Sequence, residues 1–128
     1  MMQVHLLLAH PSVSDLDEFL ARISKVLGWP DLEERESSNY LEDRYFRGVV
    51  DGLEVMVCYA GSLVSGNISD PDNDEQKDLP YWVELKSDLL SEPELIEAAD
   101  AIVKMMLLPD GFLAARLILG REDRRIDY

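Results

Sequence analysis

Asp51-Gly52 lies between two β-rich runs, Arg44 to Val50 and Leu53 to Ala60, and no other feature constrains the fold as tightly. A two-residue hairpin turn needs positive φ at both positions, and Asp-Gly meets that need with little strain. The turn also sets the register: Val50 opposite Leu53, Gly48 opposite Val55, Phe46 opposite Val57. Side chains alternate along a strand, so these residues share one face, and Tyr45, Arg47, Met56 and Cys58 share the other. The first face is expected to meet the core, with Phe46, Val55 and Val57 buried. The hairpin itself is expected at the centre of the sheet.

The rest of the chain can be read around this pair. Val4 to Ala9 is a short apolar run closed by His10-Pro11, which predicts a buried strand. Ser12 or Ser14 can cap a following helix, with Asp15, Asp17 and Glu18 well placed in its first turn. Leu16, Phe19, Leu20, Ile23, Val26 and Leu27 recur at helical spacing, and Gly28 and Pro30 stop the helix. Residues 31 to 43 are polar and acidic and read as a loop with room for a short edge strand. Residues 61 to 79, rich in Gly, Ser, Asn and Asp, read as a long loop. Tyr81 to Lys86 alternates, with Tyr81, Val83 and Leu85 inward and Trp82, Glu84 and Lys86 outward.

Ser91 starts a second helix, with Glu94 as its capping-box partner and Pro93 in its first turn. Leu95, Ala98, Ala99, Ile102, Val103 and Met106 are expected on its buried side. Leu108-Pro109-Asp110-Gly111 is a turn. Residues 112 to 119 read equally as strand or helix, and 120 to 128 read as a polar tail. The expectation is one α+β domain over 1–128, in the order β-α-β-β-β-α plus an undecided C-terminal element. Its two helices pack on one face of a mostly antiparallel sheet.

Charge narrows the function. Among 128 residues, 26 are acidic and 12 are Lys or Arg, a formal net charge of -14. Such a surface repels phosphates and anionic lipids, so neither nucleic acid nor a membrane is an expected partner. It speeds encounter with basic proteins. The excess is uneven. Asp70, Asp72, Asp74, Glu75 and Asp78 stand against Lys77, and Asp31, Glu33, Glu34 and Glu36 against Arg35. The hairpin is balanced, with Arg44 and Arg47 against Asp51 and Glu54. The N-terminal stretch lacks the basic start and long apolar run of a signal peptide, and a cytoplasmic location is expected.

Catalytic and metal constellations are weak. A nucleophilic Cys58 would need a histidine base, and only His5 and His10 exist. A single mid-strand cysteine reads as a small hydrophobe. Asp70-x-Asp72-x-Asp74 begins like a calcium loop, but Glu75 stands where glycine is needed and Tyr81 where a bidentate glutamate is needed. The glycines follow no phosphate-binding pattern. No enzyme activity, cofactor or metal is expected. The functional reading is a footprint for a basic protein partner, formed by Asp70, Asp72, Asp74, Glu75 and Asp78. Trp82 and Tyr40 would serve as aromatic anchors.

Ser37-Ser38-Asn39-Tyr40, Arg44-Tyr45-Phe46-Arg47-Gly48, Gly52-Leu53-Glu54-Val55 and Tyr81-Trp82-Val83 together resemble small bacterial immunity proteins. These neutralise toxins of contact-dependent and type VI secretion competition systems. The resemblance covers about residues 35 to 86 and departs where Gly61 to Asn67 lengthen the connection to the aromatic strand. It implies an antitoxin that blocks the active or substrate-binding surface of a cognate basic toxin, and it carries over no catalytic residue. The alternative is a small acidic secretion chaperone or adaptor for a secreted effector. Such chaperones are dimers, so sedimentation separates the two readings.

Overall fold

The computed structural model describes residues 2–38, 41–59, 79–118 and 124–128. Strands β1 (Met2–Ala9), β2 (Glu33–Glu36), β3 (Arg44–Val50), β4 (Leu53–Tyr59), β5 (Tyr81–Ser87), β6 (Leu113–Ile118) and β7 (Arg124–Asp127) form one sheet in the order β2-β3-β4-β5-β1-β6-β7. Every neighbouring pair is antiparallel. Helices α1 (Leu16–Leu27) and α2 (Glu92–Ile102) contribute to the same core cluster on one face. The expected α+β class is therefore the observed one.

The hairpin forms as its turn dictates. Asp51 and Gly52 take φ of 51° and 81°, and the register pairs Phe46 with Val57, Gly48 with Val55 and Val50 with Leu53. Phe46, Val55 and Val57 are buried. The hairpin is not the sheet centre, however. β5 takes that place, with β4 on one side and β1 on the other. These placements depend on long-range pairings, which a local turn does not specify.

Each helix end has a local cause. Asp15, rather than Ser12 or Ser14, caps α1, its Oδ1 accepting from the Glu18 amide at 2.8 Å. A carboxylate is the stronger acceptor for a helix N-terminus. Ser14 instead meets the Glu18 carboxylate through its amide at 3.2 Å and its hydroxyl. Gly28 closes α1 at φ 68°, a conformation that costs glycine little. Ser91 and Glu94 form the expected capping box on α2.

Beyond α2 the expected buried set shifts. Leu95, Ala99, Val103 and Leu107 are fully buried, while Met106 is 45% exposed and Ala98 is half-buried. A spacing of four residues overshoots an α-helical turn by about 40° per step. The π-helical segment Val103–Leu107 unwinds the helix and returns Leu107 to the core. At the C-terminus the undecided element resolves as a strand, and the tail differs from expectation. Residues 113–118 are strand β6, and part of the expected polar tail forms edge strand β7. Tyr128 then donates its amide to Ala114 O at 3.2 Å and its hydroxyl to Asp100. The same Asp100 carboxylate takes the buried Arg116 Nη1 at 2.7 Å, tying β6, α2 and the C-terminus together.

The large core lies between the sheet and the helices. Phe19 stacks on Tyr81 with ring centroids 4.4 Å apart, and Phe112 meets Phe19 edge-on. Fully burying a side chain such as Leu6, Leu8, Val57 or Leu85 contributes roughly 1.5–3 kcal/mol.

Candidate functional site

Two regions combine charge with shape: the sheet face opposite α1 and α2, and the β2 edge. The first follows from strand alternation. The row across the sheet runs Arg47, Met56, Glu84, His5, and the next row runs Tyr45, Cys58, Trp82, Leu7, Ala115. The second row is apolar enough to bury itself. Leu7, Cys58, Leu79, Trp82 and Ala115 form a separate core cluster that, among the described residues, contains none from a helix.

Trp82 is only 2% exposed, so it is not the outward anchor that alternation predicts. Alternation places it on the other face correctly. Solvation of that face does not follow, because small and apolar neighbours on β1, β4 and β6 let the face form a second core around the indole. A partner cannot reach the indole without opening that core.

Cys58 lies in the same cluster, fully buried, and burial pushes its thiol up to about 12, with Glu84 adding to the rise. At neutral pH it is a thiol and a packing residue. The first row stays polar. His5 is 3% exposed, with Glu84 Oε2 at 3.3 Å from its Nε2, and Glu84 Oε1 takes Lys86 Nζ at 2.9 Å. Beside them is a shallow depression of about 270 Å³ whose lining includes Arg47, Glu54, Met56, Glu84 and Lys86.

The β2 edge is the acidic region. All four residues of β2 are exposed. The adjoining turn Leu41–Asp43 places Glu42 and Asp43 at positive φ beside it. Ser37 N donates to Asp43 O at 2.9 Å, closing the loop between β2 and β3. The result is an open concavity of about 720 Å³ lined by Glu34, Glu36, Ser37, Ser38, Glu42, Asp43 and Arg44.

Arg44 shows what this concavity accepts. Its guanidinium takes Asp17 at 3.0 Å, Glu34 at 3.1 Å and Glu42 at 3.2 Å, and lies 5.4 Å from the Phe46 ring centroid. These hydrogen bonds raise the Arg44 pKa, and the Asp17 carboxyl is held below its ordinary range by the hydrogen bond from Arg44. Glu36 and Asp43 carry no ion pair among the described residues, so the concavity keeps negative charge to offer.

The remaining histidine is committed to structure. His10 Nδ1 accepts from Ser12 N at 3.1 Å, which puts the ring proton on Nε2, and Nε2 donates to Asp110 O at 2.8 Å. The Asp110 carboxylate takes Arg22 Nε at 2.7 Å, which lowers its pKa. Among the described residues no group of three His, Cys, Asp or Glu side chains is arranged to hold a metal ion, and no helix is long and apolar enough to cross a membrane.

Of the residues expected to bind a partner, Tyr40, Asp70, Asp72, Asp74, Glu75 and Asp78 lie outside the described residues. The composition of 31–36 pointed to the β2 edge. The contribution of Glu42 and Asp43 was not legible, because it depends on two consecutive positive-φ residues folding back onto β2. Compared with models of known protein families, with characterised proteins and with solved structures, the chain shows no match.

Proposed function

We propose that this protein is a binding protein that captures a basic protein domain and blocks its working surface, as an immunity protein does to its toxin. The observation that carries the reading is the acidic concavity at the β2 edge, where Glu36 and Asp43 have no ion-pair partner among the described residues, in a chain of net charge -14. Arg44, held there by three carboxylates, is the chain's own example of the group a partner would present. The acidic residues Asp70, Asp72, Asp74, Glu75 and Asp78, with Tyr40, belong to the same proposed footprint. Trp82 is no longer part of it. Charges at a solvated rim steer encounter and are screened by salt, so the acids should act mainly on association.

The test is kinetic. The probes are basic toxin domains encoded in the neighbourhood of the gene, with short polylysine as the non-specific control. Glu36→Gln/Glu42→Gln/Asp43→Asn should slow association strongly at low salt and weakly at high salt. The same number of changes elsewhere, Asp88→Asn/Glu92→Gln/Glu97→Gln, should leave the rate nearly unchanged. Equal slowing by both sets would reduce the edge to undirected surface charge and sink the proposal.

A further inference from the structure

We propose that His5 is an acid-operated latch on the second sheet face: neutral, it lets Trp82 and Cys58 pack, and its protonation loosens that cluster. The geometry is specific. The imidazole is 3% exposed and meets the Trp82 indole edge-on, with ring centroids 5.7 Å apart. Among the described residues neither ring nitrogen makes a hydrogen bond, and the buried Trp82 Nε1 makes none either. Glu84 Oε2 is 3.3 Å from Nε2 without a hydrogen bond between them, and the Glu84 carboxylate is shared with Lys86.

An imidazolium here would bury a charge whose near carboxylate, Glu84, is already paired with Lys86, and whose Nδ1 has no acceptor among the described residues. Such a buried charge is costly unless it is both paired and hydrogen-bonded. Among the described residues the charged groups facing the ring come from β5: Glu84, which favours the imidazolium, and Lys86, which opposes it. On β6 the residue opposite His5 is Leu117. Further along the polar row and beside it, Arg47 and Glu54 are exposed to solvent. Burial outweighs Glu84, and the His5 pKa lies below the ordinary 6.5.

The sign follows by linkage. The folded ring takes up a proton less readily than the unfolded one. His5 therefore leaves stability unaffected above the unfolded pKa of about 6.5 and erodes it as pH falls below that value. The loss continues down to the depressed folded pKa.

The experiment measures urea unfolding and Cys58 labelling between pH 7.5 and pH 5 (both approximately the limits of the histidine range). Asp17, Glu94 and Asp110, whose pKa values are lowered from carboxylate values, do not titrate in that window. The unfolding constant should rise by up to tenfold per pH unit as the solution becomes acidic. His5→Phe should abolish that slope. Labelling of Cys58 by a dipyridyl disulfide consumes the thiolate and intrinsically slows in acid; in the native protein it should slow less steeply than in the unfolded chain, because more frequent opening offsets the loss of thiolate.

Two further variants keep the test informative should His5→Phe fail to fold. Lys86→Gln should shrink the acid loss, and Glu84→Gln should enlarge it. A slope that survives His5→Phe, or that ignores both charge changes, overturns the latch. So does native labelling that slows in acid as steeply as labelling of the unfolded chain.

Discussion

Val83 and Trp82 are neighbours on the central strand, point to opposite faces of the sheet, and are buried to 1% and 2%. Their surroundings differ. Under Val83, helices α1 and α2 supply Phe19, Ile23, Leu95 and Ala99, and the core is continuous and apolar. Around Trp82 the described packing partners are Leu79 and strand residues, and polar His5 and Glu84 stand in the next row. A helix-covered face can bury large side chains along whole strands. On the other face the described neighbours of Trp82 bury it through cross-strand apolar or small groups, and that face stays charged one row away.

The comparison is broken most directly by paired truncations. Phe19→Ala and Trp82→Ala should each cost about 3–5 kcal/mol, because both remove a large buried ring and leave a cavity. Chemical denaturation measures this. If Trp82→Ala costs no more than about 0.5 kcal/mol, the second cluster is surface rather than core.

Val57→Ala, on the helix side, should cost roughly 1–3 kcal/mol by the same mechanism. Ser91→Ala removes the acceptor for the Glu94 amide and should cost about 1 kcal/mol, seen as a lower Tm with an unchanged fold.

The thiol test separates the faces by chemistry. Cys58 should resist alkylation at neutral pH until the protein unfolds, since it is fully buried and its thiol is pushed up to about 12. Rapid labelling of the native chain would mean that the second face is open. The smallest effects belong to the polar row. Arg47→Ala and Glu54→Ala should each change stability by less than about 0.5 kcal/mol, because both side chains are exposed. Larger losses would extend the second core outward.

For the candidate site, composition alone located an acidic stretch at residues 31 to 36. That Glu42 and Asp43 join it across the β2–β3 connection is a matter of backbone folding, so the concavity was not legible. The Trp82 expectation failed for a related reason. Alternation reports which face a side chain takes, and whether that face is wet depends on what stands beside it in other strands.

The chain's local chemistry determined the Asp51-Gly52 turn and its register, the capping box at Ser91 and the stop at Gly28. Each is settled by φ preferences or by hydrogen bonds spanning a few residues. Tertiary structure alone decided that β5 is central and that β1 lies between β5 and β6. It also decided that Leu107 replaces Met106 in the core and that residues 124–127 become an edge strand. These depend on pairings between segments far apart in the chain. There many registers satisfy the local pattern, and the burial of the whole sheet selects one.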